Sequence, residues 1–240
     1  MKAKASEQFI DLTHTLSSDI PSWDGGCCFS LHIESDYKDC TAPNLFRTQK
    51  IEAMAGAGTH MDAPAHCFEG STTIDALELK NLSTACVVIR VDNEATESYR
   101  VMPERITRFE KEHGNIQPDT FVIFYTGWSK YWNTPKKYRN DLAFPSVHED
   151  TARLLLERNI AGIGIDTLSP DALGKDFPVH RIILGAGKYI VENIANAQNV
   201  PPTGAKILVM PMKIKDGTEA PIRLIAVVSY TGQQHLHLSV

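Results

Sequence analysis

A short segment at residues 56–66 constrains this chain more than any other stretch of its sequence. His60 and Asp62 lie two positions apart, so in an extended strand both side chains leave on the same face. Pro64 excludes helix immediately beyond them and places His66 on a bend. An imidazole and a carboxylate side by side, with a second imidazole nearby, are typical of a transition-metal site. The alternative is a glycine-rich turn that carries two surface histidines.

The same segment resembles the signature of the metal-dependent cyclase family, which includes bacterial kynurenine formamidase and isatin hydrolase. The family pattern reads His-x-Gly-Thr-His-x-Asp-x-Pro-x-His, and the chain matches it in register at Gly58, Thr59, His60, Asp62, Pro64 and His66. The chain departs from the pattern at its first position, where Gly56 replaces a histidine that binds metal in the family.

A second pair of residues matches the family later in the chain. The family carries a histidine and a glutamate that complete its metal centre, and His180 and Glu192 keep the family's spacing of twelve residues. Glu192 also lies in the apolar run 189–194, where an unpaired carboxylate would be costly. Without the resemblance, His180 would be interpreted as a surface or capping histidine and Glu192 as an exposed charge. Asp171, which precedes them, is predicted either to support a metal ligand from behind or to form a turn at a strand end, and the turn is the favoured role.

The resemblance implies two metal positions that share Asp62. The first position keeps His60 and Asp62 but lacks a ligand at Gly56, and water is the expected substitute there. The second position keeps Asp62 together with His180 and Glu192. We therefore expect one divalent metal, zinc or manganese, bound by mixed nitrogen and oxygen ligands.

The resemblance further implies an enzyme that hydrolyses a non-peptide C–N bond in an N-formyl or cyclic amide. Metal-activated water would attack the amide, and His66 would act as general acid and base. Trp23 and Trp128 are predicted walls for a flat substrate, although packing in the core is the ordinary role of tryptophan. The alternative is a non-catalytic metal or small-ligand binding protein on the same scaffold. The retention of His66, which is not needed merely to hold metal, favours the enzyme.

The pattern of elements predicts one α/β domain over residues 1–240. Continuous apolar runs at 85–91 and 121–125 are typical of strands buried on both faces. Later strands are predicted at 160–166, 189–194, 206–213 and 222–228. The resemblance implies a mixed-sheet, barrel-like core of the swivelling β/β/α type with a few flanking helices.

Two helices are predicted with identifiable ends. One covers residues 102–113 and stops at Gly114. The other runs to about residue 158 and opens with a capping box formed by Ser146 and Glu149. The segment 128–144 between them is polar and aromatic, and it is predicted to be a long ordered loop.

Composition limits the partners and the location. The net charge of −5 provides no basic surface for nucleic acid, and no apolar run approaches the roughly 18 residues that span a membrane. The five cysteines are odd in number and do not suggest a disulfide framework, so a reducing, cytoplasmic setting is expected. We expect a small-molecule amide as partner, and the resemblance implies a homodimer or larger homo-oligomer. His235 and His237 are predicted to lie in a solvated tail.

Overall fold

The computed structural model describes residues 6–174 and 176–230, so the predicted tail with His235 and His237 lies outside the described residues. In this part of the chain the strands are β1 (Ser6–Asp11), β2 (Phe29–Ser35), β3 (Thr48–Ala53), β4 (His60–Asp62), β5 (Ser83–Arg90), β6 (Arg100–Val101), β7 (Phe121–Tyr125), β8 (Ser146–Val147), β9 (Gly162–Ile165), β10 (Tyr189–Glu192), β11 (Ala205–Pro211) and β12 (Glu219–Tyr230). The α-helices are α1 (Pro103–His113), α2 (Pro135–Arg139), α3 (Glu149–Glu157) and α4 (Pro178–Gly185).

One mixed sheet organises these elements. Its strand order is β1-β12-β11-β5-β7-β9-β10-β4, and β4 also pairs with β12. This last pairing closes the sheet into a barrel that leaves only β1 outside the ring. Neighbours among β5, β7, β9 and β10 are parallel, whereas β4, β11 and β12 pair antiparallel with their neighbours. The predicted mixed-sheet, barrel-like core is confirmed.

Strand β5 separates two hydrophobic cores. Cys86 and Val88 belong to the core inside the barrel. Val87 and Ile89 belong to a second core, which packs the outer face of the sheet against α1, α3 and α4. Because successive strand residues face opposite sides, a run of apolar residues is required where both sides are covered. The prediction of strands buried on both faces is confirmed.

The helix predictions are right for α1 and only partly right for α3. Helix α1 ends at Gly114, which has a φ of 89°. The capping box at Ser146 is wrong, because Ser146 lies in β8 and pairs with β6. Helix α3 begins instead after His148, whose Nδ1 accepts a hydrogen bond from the backbone of Asp150 at 3.2 Å.

Across residues 6–174 and 176–230, none of the helices combines the length and apolar character needed to cross a membrane.

Two further segments lie beside the barrel. Strands β2 and β3 form a separate two-stranded ribbon. The segment 128–144, predicted as a loop, is ordered by a 3₁₀ turn at Trp128–Tyr131 and by the short helix α2. Its aromatic side chains form a third buried cluster with the chain around Ile20.

Candidate metal centre

Three adjacent strands form the floor of the candidate site. Strand β4 pairs with both β10 and β12, so that Glu192 lies opposite His60 and Glu219 lies opposite Asp62. Met61, between the two predicted ligands, is fully buried in the core inside the barrel. Because cross-strand partners share a face, the two glutamates flank His60 and Asp62 on the side away from that core.

The turn before β4 orients His60. Gly58 has a φ of 66°, and a Cβ added there would collide with the side chain of Leu16. The Gly58 carbonyl oxygen lies 2.9 Å from His60 Nδ1. Since a carbonyl oxygen only accepts, Nδ1 carries the proton of this hydrogen bond. His60 Nε2 then faces Asp62 Oδ1 at 3.6 Å and Glu192 Oε2 at 3.3 Å.

Helix α4 carries His180 over the same carboxylates. Asp171 accepts hydrogen bonds from the backbone N–H groups of Val179 and His180, at 2.8 and 3.0 Å. The same carboxylate lies 2.7 Å from His180 Nδ1. This leaves His180 Nε2 facing Asp62 Oδ2 at 3.5 Å and Glu192 Oε1 at 3.3 Å. Asp171 thus caps α4 and orients its histidine, which agrees with the predicted supporting role and corrects the favoured turn role.

The four predicted ligands meet in one buried cluster. His60, Asp62, His180 and Glu192 are each at most 7% exposed. Among the described residues, both carboxylate oxygens of Asp62 and Oε1 of Glu192 are buried without a hydrogen-bond partner. Buried carboxylate oxygens that face imidazole lone pairs are costly unless a proton or a cation lies between them. One ligand atom each of Asp62, His180 and Glu192 lies within 4.8 Å of the others, so this donor set fits a divalent cation.

The pKa shifts of His60 and His180 show how strongly the buried carboxylates act on these imidazoles when no metal is present. Burial lowers the pKa of His60, but its hydrogen bond to Glu192 and the charges of Asp62 and Glu192 raise that pKa to about 10. Burial also lowers the pKa of His180, and the carboxylates of Asp171, Asp62 and Glu192 raise it well above its usual value. Protons therefore occupy this cluster in the absence of a cation, and metal binding must release them.

His66 lies at the edge of the cluster and is accessible. It ends the 3₁₀ turn at Pro64–His66, and a third of its side chain (33%) is exposed. Its Nδ1 is 3.4 Å from Glu219 Oε2. The interaction with Glu219 is the main cause of a raised pKa of His66, against a smaller lowering by burial. This position separates His66 from the buried ligand cluster.

A cavity of about 430 Å³ opens above the cluster. His60, His66, His180 and Glu192 line its base, and Trp23 and Phe177 line its aromatic wall. The rings of Trp23 and Phe177 lie 5.8 Å apart. Trp23 therefore lines this cavity, and its contact with substrate stays a prediction. No sequence motif marks Phe177.

Trp128 does not line this cavity. It is 9% exposed, and its indole Nε1 donates a hydrogen bond to the backbone carbonyl of Tyr138 at 2.8 Å. Its ring also packs edge-on against Tyr131 at 5.1 Å. The prediction that Trp128 contacts substrate is corrected to a packing role, since its polar and apolar surfaces are already engaged by the segment 128–144.

His14 is a half-buried histidine outside the ligand cluster. Its ring stacks on Trp132 with centroids 3.9 Å apart, and its Nε2 is buried without a hydrogen-bond partner among the described residues. Burial lowers the pKa of His14 to about 4. His14 is therefore neutral in the folded protein at neutral pH.

A closed mixed barrel carries two buried histidines and two buried carboxylates beneath a cavity, which defines an α/β scaffold whose donor set fits a divalent cation. The chain belongs to the cyclase family, because the family model described as "Putative cyclase" matches residues 10–172. It is 28% identical over 187 residues to isatin hydrolase of Roseibium aggregatum, covering 72% of this chain and 71% of that protein. It is 26% identical over 223 residues to kynurenine formamidase of Bacillus cereus, covering 92% and 97%.

A solved structure shares the architecture. Isatin hydrolase A from Labrenzia aggregata, bound to benzyl benzoate, superposes with a TM-score of 0.85 at 33% sequence identity. The match covers 93% of this chain and 94% of that one. The resemblance inferred from residues 56–66 is thus confirmed for both the family and the fold.

Proposed function

We propose that this protein is a metal-dependent hydrolase, acting as a single domain, that cleaves a non-peptide C–N bond in an N-formyl or cyclic amide. The observation that carries the proposal is the set of unpartnered, buried oxygens of Asp62 and Glu192 that face two imidazole Nε2 atoms beneath an open cavity. Sequence similarity also supports this function. One relative is named for the hydrolysis of isatin, a cyclic amide, and another for the hydrolysis of a formamide.

Asp62, His180 and Glu192 would hold the cation, with His60 beside them. Two imidazole nitrogens among carboxylate oxygens suit zinc or manganese. When bound, a divalent cation lowers the pKa of a water molecule and polarises the amide carbonyl. The cavity is within the size range that encloses a small organic ligand, and the Trp23–Phe177 wall suits a flat substrate.

His66 moves the protons in this proposal. The Glu219 carboxylate holds its Nδ1–H, which leaves Nε2 to take a proton from the attacking water and deliver it to the leaving nitrogen. Glu219 raises the pKa of His66, so the proton that Nε2 takes from water is held for delivery to the leaving nitrogen.

The test is His66→Ala, assayed against aryl formamides and cyclic amides with added Zn²⁺ or Mn²⁺. Turnover should fall by about 10² to 10⁴, while metal content measured by elemental analysis stays at the wild-type level. His32→Ala, on the exposed ribbon, is the matched control and should keep full activity. Loss of metal together with activity would instead make His66 a ligand. Ligand binding with no turnover of any amide would favour the non-catalytic alternative.

We further propose that the chain forms a homodimer or larger homo-oligomer in the cytoplasm. A two-stranded ribbon is only marginally stable in water, yet Leu31 and Ile51, directly paired on β2 and β3, are 51% and 64% exposed. The free state of all five cysteines supports a reducing compartment. Light scattering should give a mass above 26.6 kDa, and Leu31→Glu should lower it toward that value. A monomeric wild-type protein would contradict self-association.

A further inference from the structure

Glu219 occupies the space that a side chain at position 56 would enter. A Cβ placed on Gly56 would lie 2.5 Å from Glu219 Oε1 and 3.4 Å from His60 Nε2. Gly56 does not have a positive φ, so its backbone accommodates other residues. The absence of a side chain at position 56 therefore creates room for the carboxylate of Glu219 beside His60.

Glu219 forms a second potential cation site together with His60 and Asp62. One ligand atom of each of these three residues lies within 4.8 Å of the other two. Glu219 reaches this position because β12 pairs with β4 and places it opposite Asp62. Its side chain is 25% exposed, so it adjoins both the buried cluster and the cavity.

The buried carboxylate of Asp62 independently indicates that a cation binds at this position. It is 1% exposed, and neither of its oxygens has a hydrogen-bond partner among the described residues. Oδ1 faces His60 Nε2 at 3.6 Å, and Oδ2 faces His180 Nε2 at 3.5 Å. Each histidine thus has its own unpartnered oxygen of Asp62, and a single cation on the His180 side would leave Oδ1 unsatisfied.

We propose that Glu219 takes the place of the missing family histidine as a ligand, so that His60, Asp62 and Glu219 bind a second divalent cation. This inference rests on the proposed metal-dependent function, but it requires only metal binding and no turnover. It replaces the expectation of water at this ligand position. With one nitrogen and two carboxylates, this position should favour the harder Mn²⁺ more than a site with two histidines does.

The experiment measures Mn²⁺ and Zn²⁺ stoichiometry by equilibrium dialysis and elemental analysis. The wild-type chain should bind about two ions at saturation, as two-metal hydrolases do. Glu219→Ala should bind about one, because only the Asp62–His180–Glu192 position remains complete. Glu192→Ala should lose the other position. Glu69→Ala, a nearby exposed glutamate outside the cluster, is the control and should bind as the wild type does.

A reciprocal exchange makes the test specific. Gly56→His combined with Glu219→Ala should restore about two ions, because the new imidazole enters the space that the carboxylate leaves. Gly56→His alone should not add to the wild-type stoichiometry, since both side chains compete for one space. Glu219→Gln keeps the shape of the side chain and should weaken the first position if Glu219→Ala does not fold.

Two results separate this inference from the proposed function. Wild-type stoichiometry and affinity in both Glu219 variants would overturn the Glu219 ligand, even if the enzyme hydrolyses amides. Two bound ions that depend on Glu219, in a protein that hydrolyses no amide, would retain the inference and overturn the proposed hydrolase.

Discussion

Asp171→Asn should weaken metal binding although Asp171 is not expected to touch the metal. Asp171 receives three hydrogen bonds, two from the first turn of α4 and one from His180 Nδ1. An asparagine has one acceptor oxygen, and its amide group would direct N–H donors toward these donors. At least one of them loses its partner, and the His180 ring loses the contact that directs Nε2 at Asp62 and Glu192.

The expected magnitude follows from these contacts. Loss of a carboxylate that orients a ligating histidine costs about 10- to 100-fold in metal affinity, which corresponds to about 1.4–2.7 kcal/mol. A buried donor left without a partner should lower the free energy of unfolding of the metal-free protein by about 1–3 kcal/mol. The two effects are separable because one depends on metal concentration and the other does not.

The assay is a competition titration of Zn²⁺ against a chromophoric chelator, together with urea unfolding in excess chelator. Asp150→Asn is the matched control, since the Asp150 side chain is 62% exposed at the start of α3. It should change neither the Kd nor the stability by more than a few tenths of a kcal/mol. A wild-type Kd for Asp171→Asn would refute the reasoning that Asp171 sets the orientation of His180.

Two further predictions concern residues outside the ligand cluster. The pKa of His14 falls to about 4 in the folded protein from about 6.5 unfolded, so the unfolded state binds more protons between these values. His14 should therefore contribute a decline in wild-type stability as pH falls through this window, by at most about 3 kcal/mol, and His14→Gln should lack this contribution in urea titrations at each pH. If both proteins lose stability equally, the histidine is not the cause. Trp23→Ala should raise KM for a flat amide, whereas Trp128→Phe should leave KM unchanged and cost about 1 kcal/mol of stability through the lost indole hydrogen bond. A changed KM for Trp128→Phe would return that residue to the substrate site.

Local patterns predicted the parts of the fold that depend on neighbouring residues. The spacing of His60 and Asp62 determines that both leave one face of β4, and Gly114 marks the end of α1. The apolar run at 85–91 required two covered faces, which the barrel interior and the helices provide. In each case the physical cause lies within a few residues of the pattern.

The remaining features depend on contacts between distant segments. Glu219 becomes part of the site only because β12 pairs with β4, and no histidine or carboxylate spacing around it indicates that pairing. Ser146 has the sequence of a helix cap, but pairing of β8 with β6 uses its backbone instead. Trp128 and Trp23 are indistinguishable by residue type, and tertiary packing alone decides which of them lines the cavity.

The pairing of β4 with β12 also makes the barrel seam sensitive to cations. The seam is short, with Asp62, Met61 and His60 opposite Glu219, Ala220 and Pro221. Two like charges, Asp62 and Glu219, face each other directly across it, which is destabilising in an antiparallel pair. A cation between them would turn this repulsion into a cross-link and would stabilise the folded state by mass action. Metal binding should therefore raise the free energy of local opening at this seam.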